Sequence, residues 1–457
     1  MKATEKLLDF FYRRPDIREK FIFPGTFRDY ALDIKETLSP GNGNTPLTIK
    51  IIEEARRILG KELQLDSLEK QLGSYPLISY ADHHGLLNYK LLYNSNILYS
   101  LMIKELELPY VVVLATGNIP LMNISYPRGF YFKERKFNFF RKKQSNTPVF
   151  LVNSNLHAEK QEGIESFLLN YGKDIINIEE KEFLEYLFFN CLEIEKSAEK
   201  HNVFSDQITY LNYKLWRYYF DRSIRDSSPN LIYLQSNQII LSLLIEEIKK
   251  RDSLISLILF EPEARKVYLK NFYGIPGCWG ENHGSHWFWG IVERKNKVRF
   301  TSLRVDDAAN SLIGENFGLE LDREAIVEAL LAKKILPVIF FDFLIVTFME
   351  GYLALGGLNQ LEYLPQMQEA HIKSLEEIGM NDLVEKFAAP ISHGLICGMY
   401  PFEFDSGIDL IWHYNSRDGK FNGNMDGGLT QKELDNVYKT EVTELIGAGI
   451  ETTLAIL

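Results

Sequence analysis

Cysteine is scarce in this chain. Cys191, Cys278 and Cys397 are the only three in 457 residues, far apart, odd in number and without a C-x-x-C pair. That argues against a disulfide framework and fits a reducing compartment. Long apolar runs are lacking too. The most apolar stretch, Ile335 to Met349, is 15 residues long and contains Pro337 and Asp342. A bilayer-spanning helix needs about 20, so the run reads as a buried core helix. Lys2 and Glu5 put charge where a secretory signal needs an apolar core. Positive charge is short: 51 Lys and Arg face 62 Asp and Glu, a net charge of −11. Such a chain makes a poor general nucleic-acid binder, because neutralising phosphates takes a basic surface. There is no tandem repeat, no low-complexity linker, no G-x-G-x-x-G and no Walker A sequence. The class that remains is a cytoplasmic protein without a membrane span, working on small molecules. Its oligomeric state stays open.

The composition is that of a globular protein, 46% hydrophobic and 25% charged. Its 30 Phe and 24 Tyr suit a large core or an aromatic-lined cleft. One stretch departs from the acidic balance. Lys133, Arg135, Lys136, Arg141, Lys142 and Lys143 alternate with Phe132, Phe137, Phe139 and Phe140. This reads as a solvated hairpin with an apolar inner face; the sharper alternative is a clamp for a phosphorylated ligand or a nucleic-acid strand.

Periodicity predicts an α/β fold, with a mixed α+β arrangement as the alternative: a central mixed or parallel sheet flanked by helices, and helical amino- and carboxy-terminal parts. Residues 1–72 read as a helical subdomain, starting at Leu7, Leu8, Phe10 and Phe11 and resuming after Pro46. Residues 73–345 read as the core that carries the site. Tyr110 to Ala115 is a β-branched run that ends at Thr116-Gly117-Asn118, as a buried strand does. Val149 to Val152 repeats the pattern, residues 162–228 read as mainly helical, and Trp287–Val292 with Val298–Leu303 reads as a hairpin. Residues 346–457 read as mainly helical and packed on the core.

Four of the nine histidines fall in two glycine-broken segments, Ala81-Asp82-His83-His84-Gly85 and Glu281-Asn282-His283-Gly284-Ser285-His286. At a strand end, Asp82 and His84 share one face and His83 takes the other. The triplet resembles one metal-holding motif of the DHH phosphoesterases; that family's other motifs are not found, so the resemblance covers three residues only. If the two segments meet, Asp82, His84, His283 and His286 supply ligands for zinc, manganese or iron, with Glu281 as a further ligand or base. His84, His283 and Glu281 are then the catalytic candidates. Trp279 and Trp287 would wall the pocket, and Asn118, Asn123 and Arg128, beyond the best strand, would hold an anionic substrate. His393 and His413 could join from the carboxy-terminal part. Asp342 and Glu350 lie in or beside the most apolar run and need partners if buried. Gly356-Gly357 and Gln360 are placed to turn toward the same cleft.

The stretch Asn422 to Glu433 resembles a calcium-binding EF-hand loop, with Asn422, Asn424, Asp426 and Glu433 at ligand positions. A simpler account makes Thr430 and Glu433 the capping box of the last helix. Three functions follow from these residues. The first is a metal-dependent enzyme of hydrolase or lyase type on a small polar or anionic substrate. The second is a metal-free acyl or amino transferase or ligase with histidine as general base. The third is a binding protein without chemistry.

Overall fold

A computed structural model describes residues 25–38, 44–140, 146–154, 156, 177–294, 297–389 and 394–447. Its strands are β1 (Leu77–Ser79), β2 (Tyr110–Ala115), β3 (Gly129–Phe132), β4 (Arg135–Asn138), β5 (Asn230–Gln235), β6 (Phe288–Arg294), β7 (Lys297–Asp306), β8 (Ser311–Gly314), β9 (Phe317–Glu320), β10 (Ile335–Pro337), β11 (Leu353–Gly357) and β12 (Leu395–Cys397), followed by a short two-stranded ribbon. β1, β2, β5, β11 and β12 form one parallel sheet in the order β12-β11-β1-β2-β5. β10, β6, β7, β8 and β9 form a second, antiparallel sheet in that order, and β3 with β4 is a separate hairpin. The chain is therefore mixed α/β, as its periodicity predicts.

The parallel sheet separates two apolar cores. Val111, Val113 and Ala115 of β2 face one of them; Tyr110, Val112 and Leu114 face the other. β5 does the same, with Leu231 and Tyr233 against Ile232 and Leu234. A strand covered on both faces has no need of polar alternation, so its sequence is a continuous apolar run. Helix α1 (Lys90–Glu105) and helix α2 (Phe204–Trp216) fill the first core, through Ile97 and Leu101 and through Phe204, Ile208 and Leu211. Helix α3 (Ser236–Lys249) fills the second through Ile240 and Leu244, and helix α4 (Leu358–Glu377) crosses from one core to the other.

The strand order places the site. From β1 the chain adds β2 and β5 on one side; it returns much later to add β11 and β12 on the other. Connections from adjacent strands β1 and β11 thus diverge, and in open α/β sheets ligands bind outside the carboxyl ends of the strands at such a switch point.

Several expectations are corrected. Residues 353–357 and 395–397, read as part of a helical carboxy-terminal region, supply two strands of the central sheet, so a boundary near 345 cuts through it. The run from Ile335 to Met349 is buried but is not one helix. It opens as β10, bends at Pro337 and continues as a helix over Ile339–Phe343 and a π-helical turn over Leu344–Met349. Proline donates no ladder hydrogen bond, and β10 is accordingly an edge strand. Val149–Leu151 is a 3₁₀ turn rather than a strand. Residues Leu7 to Phe11, Arg141, Lys142, Lys143, residues 162–176 and His393 lie outside the described residues. Among the described residues no helix is long and apolar enough to cross a membrane.

The basic stretch forms the expected hairpin. Lys133 and Glu134 take positive φ at its two-residue turn. Phe130, Phe132 and Phe137 point inward, Lys133 pairs with Glu180, and Lys136 lies over the rings of Tyr126 and Tyr131.

Candidate functional site

A cavity of about 280 Å³ opens at the carboxyl ends of β1, β2, β11 and β12. Tyr80, Ala81 and His83 enter it after β1, Thr116 after β2, Gly357 to Gln360 after β11, and Cys397 with Gly398 from β12. Backbone bonds hold its floor. His84 donates its N–H to the Thr116 carbonyl and Thr116 donates to the Asp82 carbonyl, both at 2.8 Å, which carries the β1–β2 pairing past the strand ends. The Tyr233 hydroxyl donates to the His83 carbonyl at 2.9 Å.

Residues 82 to 84 alternate as their strand-end position requires, but the outward face is not the expected one. Asp82 and His84 turn inward. The Asp82 carboxylate accepts from Asn96 Nδ2 at 2.7 Å, and burial pushes its carboxyl up to about 7. His84 stacks on Tyr233, and its Nε2–H donates to the Ser205 carbonyl at 3.1 Å. Burial holds its imidazole down to about 4, so it is a neutral packing residue. His83 is the histidine that faces the cavity. Its Nδ1 lies 3.1 Å from Ser125 Oγ, and Ser125 Oγ donates to Asn123 Oδ1 at 3.1 Å. The serine proton is thereby committed. Nδ1 must carry the imidazole proton, and Nε2 keeps a lone pair. Burial pushes His83 down to about 4 as well, which keeps it neutral at physiological pH.

The other expected residues are spread over the molecule. Asn123 positions Ser125. Asn118 donates to the Pro337 carbonyl at 3.0 Å. Arg128 is buried and its Nε donates to the Phe140 carbonyl at 2.6 Å, which holds the hairpin to its neighbouring loop. Glu281 and His283 are exposed, and Arg304 ties their loop down through the carbonyls of Gly280, His283 and Gly284. His286 Nδ1 accepts from the Val305 N–H at 3.0 Å. Trp279 and Trp287 are not cavity walls; they are fully buried, 4.6 Å apart ring to ring, in the second core. Among the described residues no hydrogen bond, ion pair or ring contact joins the two histidine segments. Nor do three or more His, Cys, Asp or Glu side chains there come together as a group that could hold a metal ion.

The chain matches no family model, no curated protein and no solved structure.

Two further groups complete the cavity. α4 starts directly after Gly356-Gly357, and no side chain caps its first turn. The Cys397 thiol is pushed up to about 12 by burial, with Asp82 adding to the effect, so it is not a thiolate at neutral pH. Of the remaining carboxylates weighed from sequence, Glu350 accepts from the Leu47 N–H at 3.0 Å and so caps the helix over Pro46–Leu59. Glu433 closes a capping box with Thr430, while Asp426 pairs with Arg222. Thr430→Ala is expected to cost about 1 kcal/mol, measured as a lower midpoint in urea with unchanged slope; a neutral result would mean the cap does not hold that helix.

His83 escaped the sequence reading, which followed the Asp82–His84 face. The available signal was the alternation itself: buried partners sit at positions 82 and 84, and the residue between them has to point the other way. Tyr80, Ser125 and Cys397 carry no motif. They meet only through the strand order.

Proposed function

We propose that this chain is an enzyme that binds a small organic molecule in the cavity at the β1–β11 switch point and moves a proton with His83 as base. The observation that carries the reading is the His83–Ser125–Asn123 relay, which fixes the imidazole tautomer and leaves Nε2 as an acceptor on a cavity-lining side chain. An oriented base beside a concave site is the arrangement that general base catalysis needs. Asn123 and Ser125 act as positioning residues.

The walls describe the substrate. Ala81, Leu91, Ile124 and Ile339 offer apolar surface, and Tyr80, Tyr89 and Tyr363 offer rings with polar ends. The uncapped N–H groups of the first turn of α4 border the same space and favour an anionic or strongly polar group. A partly apolar molecule with one polar or anionic end fits both. Of the chemistries that the sequence suggests, the metal-free one suits this arrangement, because Asp82, His84, His283 and His286 do not assemble as one ligand set.

The test is untargeted. Purified protein is incubated with a cellular small-molecule extract and followed by mass spectrometry, alongside His83→Gln. At least one compound should be consumed by the parent protein, and about 10²-fold or more slowly by the variant, at an unchanged melting temperature. Consumption at equal rates, or none by the parent, would sink the reading.

A further inference from the structure

The cavity that holds His83 has apolar walls at every depth. Leu92 and Leu358 line its interior and are each 3% exposed, Leu91 and Ile339 line it half-buried, and Ile124 lines it while standing 43% exposed. Met122, two residues before Ile124 on the same loop, is 44% exposed. Single apolar side chains on a surface need no explanation, but one that is also a cavity wall joins the surface to the interior, as in ligand grooves. The exposure of Ile124 is built in. The Asn123 N–H donates to the Pro120 carbonyl and the Tyr126 N–H to the Asn123 carbonyl, both at 2.8 Å, and the Tyr131 hydroxyl donates to the Ile124 carbonyl at 3.3 Å.

The polar walls narrow the chemistry. Among the described residues that line the cavity there is no Lys, Arg, Asp or Glu, and His83 is neutral. Two of the polar groups are already engaged: Ser125 donates to Asn123, and Gln360 donates to the Ala354 carbonyl. A head group of either charge would lose water here without gaining a counter-ion from a side chain. A hydroxyl gives up far less. It donates to His83 Nε2, and its oxygen accepts from the uncapped N–H groups of the first turn of α4. The apolar part is an extended one. A compact ring would lie in the interior and leave Ile124 in water, whereas a chain covers the buried and the exposed walls together.

We propose that the cavity binds an aliphatic alcohol, whose hydroxyl donates to His83 Nε2 and whose alkyl chain lies along Leu92, Leu358, Leu91 and Ile339 and leaves over Ile124. This names the substrate class of the site proposed above, chooses the uncharged head over the anionic one, and rests on the reading of the cavity as a substrate site.

Saturation-transfer NMR titrations on the full chain test it, with n-butanol, n-hexanol and n-octanol as probes and octanoate and n-octylamine as charged counterparts. Affinity should rise about three- to fourfold per methylene, so that n-octanol binds on the order of a hundredfold tighter than n-butanol. Octanoate and n-octylamine should bind more weakly than n-octanol. Ile124→Ser should weaken n-octanol about fivefold and n-butanol less than twofold, at an unchanged melting temperature, since the side chain is exposed. His83→Gln should lose turnover and keep the rise in affinity with chain length. A failure of the proton-transfer reading thus shows as turnover retained by that variant, and a failure of the present one as a flat series. Affinity that does not grow with chain length, a charged counterpart that binds as tightly as n-octanol, or an Ile124→Ser protein with the parent's affinity for n-octanol overturns the proposal.

Discussion

At pH 8, Asp342→Asn is expected to melt at a higher temperature than the parent protein, and near pH 4 the two should melt almost together. Asp342 is 3% exposed, and burial raises its carboxyl from 3.8 to about 7. The unfolded chain releases this proton near 3.8, whereas the folded chain holds it until about 7. Across that interval the native state binds more protons than the unfolded one, so stability falls as pH rises, by about 1.4 kcal/mol per pH unit for such a group. Below the interval both states are protonated and the penalty is absent. Above it the full penalty, of a few kcal/mol, persists. Asparagine cannot ionise and escapes it. Asp82 has the same direction and the same cause, and Asp82→Asn retains an acceptor for Asn96, so it should behave alike. Differential scanning calorimetry from pH 4 to 8 on the three proteins reads this directly. A gap between variant and parent that does not grow with pH would show that the folded carboxyl is already ionised in acid.

Trp287→Ala should destabilise the protein by about 3–5 kcal/mol, the range for deleting a large buried aromatic. Trp287 is completely buried, edge-on to Trp279 at 4.6 Å and 5.2 Å from Phe340. The three rings join the glycine-rich loop to the helix over Ile339–Phe343, which carries both the cavity wall Ile339 and the buried Asp342. The loss should appear as a lower denaturation midpoint in urea. Ligand binding below that midpoint should change little, because the indole does not touch the cavity. Weakened binding with unaltered stability would instead restore Trp287 as a pocket wall.

The parallel sheet was legible where burial on both faces writes a continuous apolar run, as in Tyr110 to Ala115. It was hidden where a strand is only three residues long, as in β12, or carries glycine, as in β11. Such segments gain their strand character from neighbours distant in sequence, and no local pattern announces them. The loop after β1, singled out from sequence, borders the cavity. The choice of His84 over His83 went astray because alternation sets which residues share a face without saying which face is buried. The second histidine segment misled for a different reason. Glycine, tryptophan and histidine together describe a tight loop packed on a hairpin as well as they describe a pocket, and only the depth of Trp279 and Trp287 separates the two.

Leu77 pairs with Leu353 across the middle of the sheet. During synthesis, one edge of β1 therefore stays open until the ribosome has made residue 357, with β12 later still. An unpaired strand edge invites association with other chains. Until then β1 and β2 lack the neighbour that covers the other edge of β1 in the finished sheet.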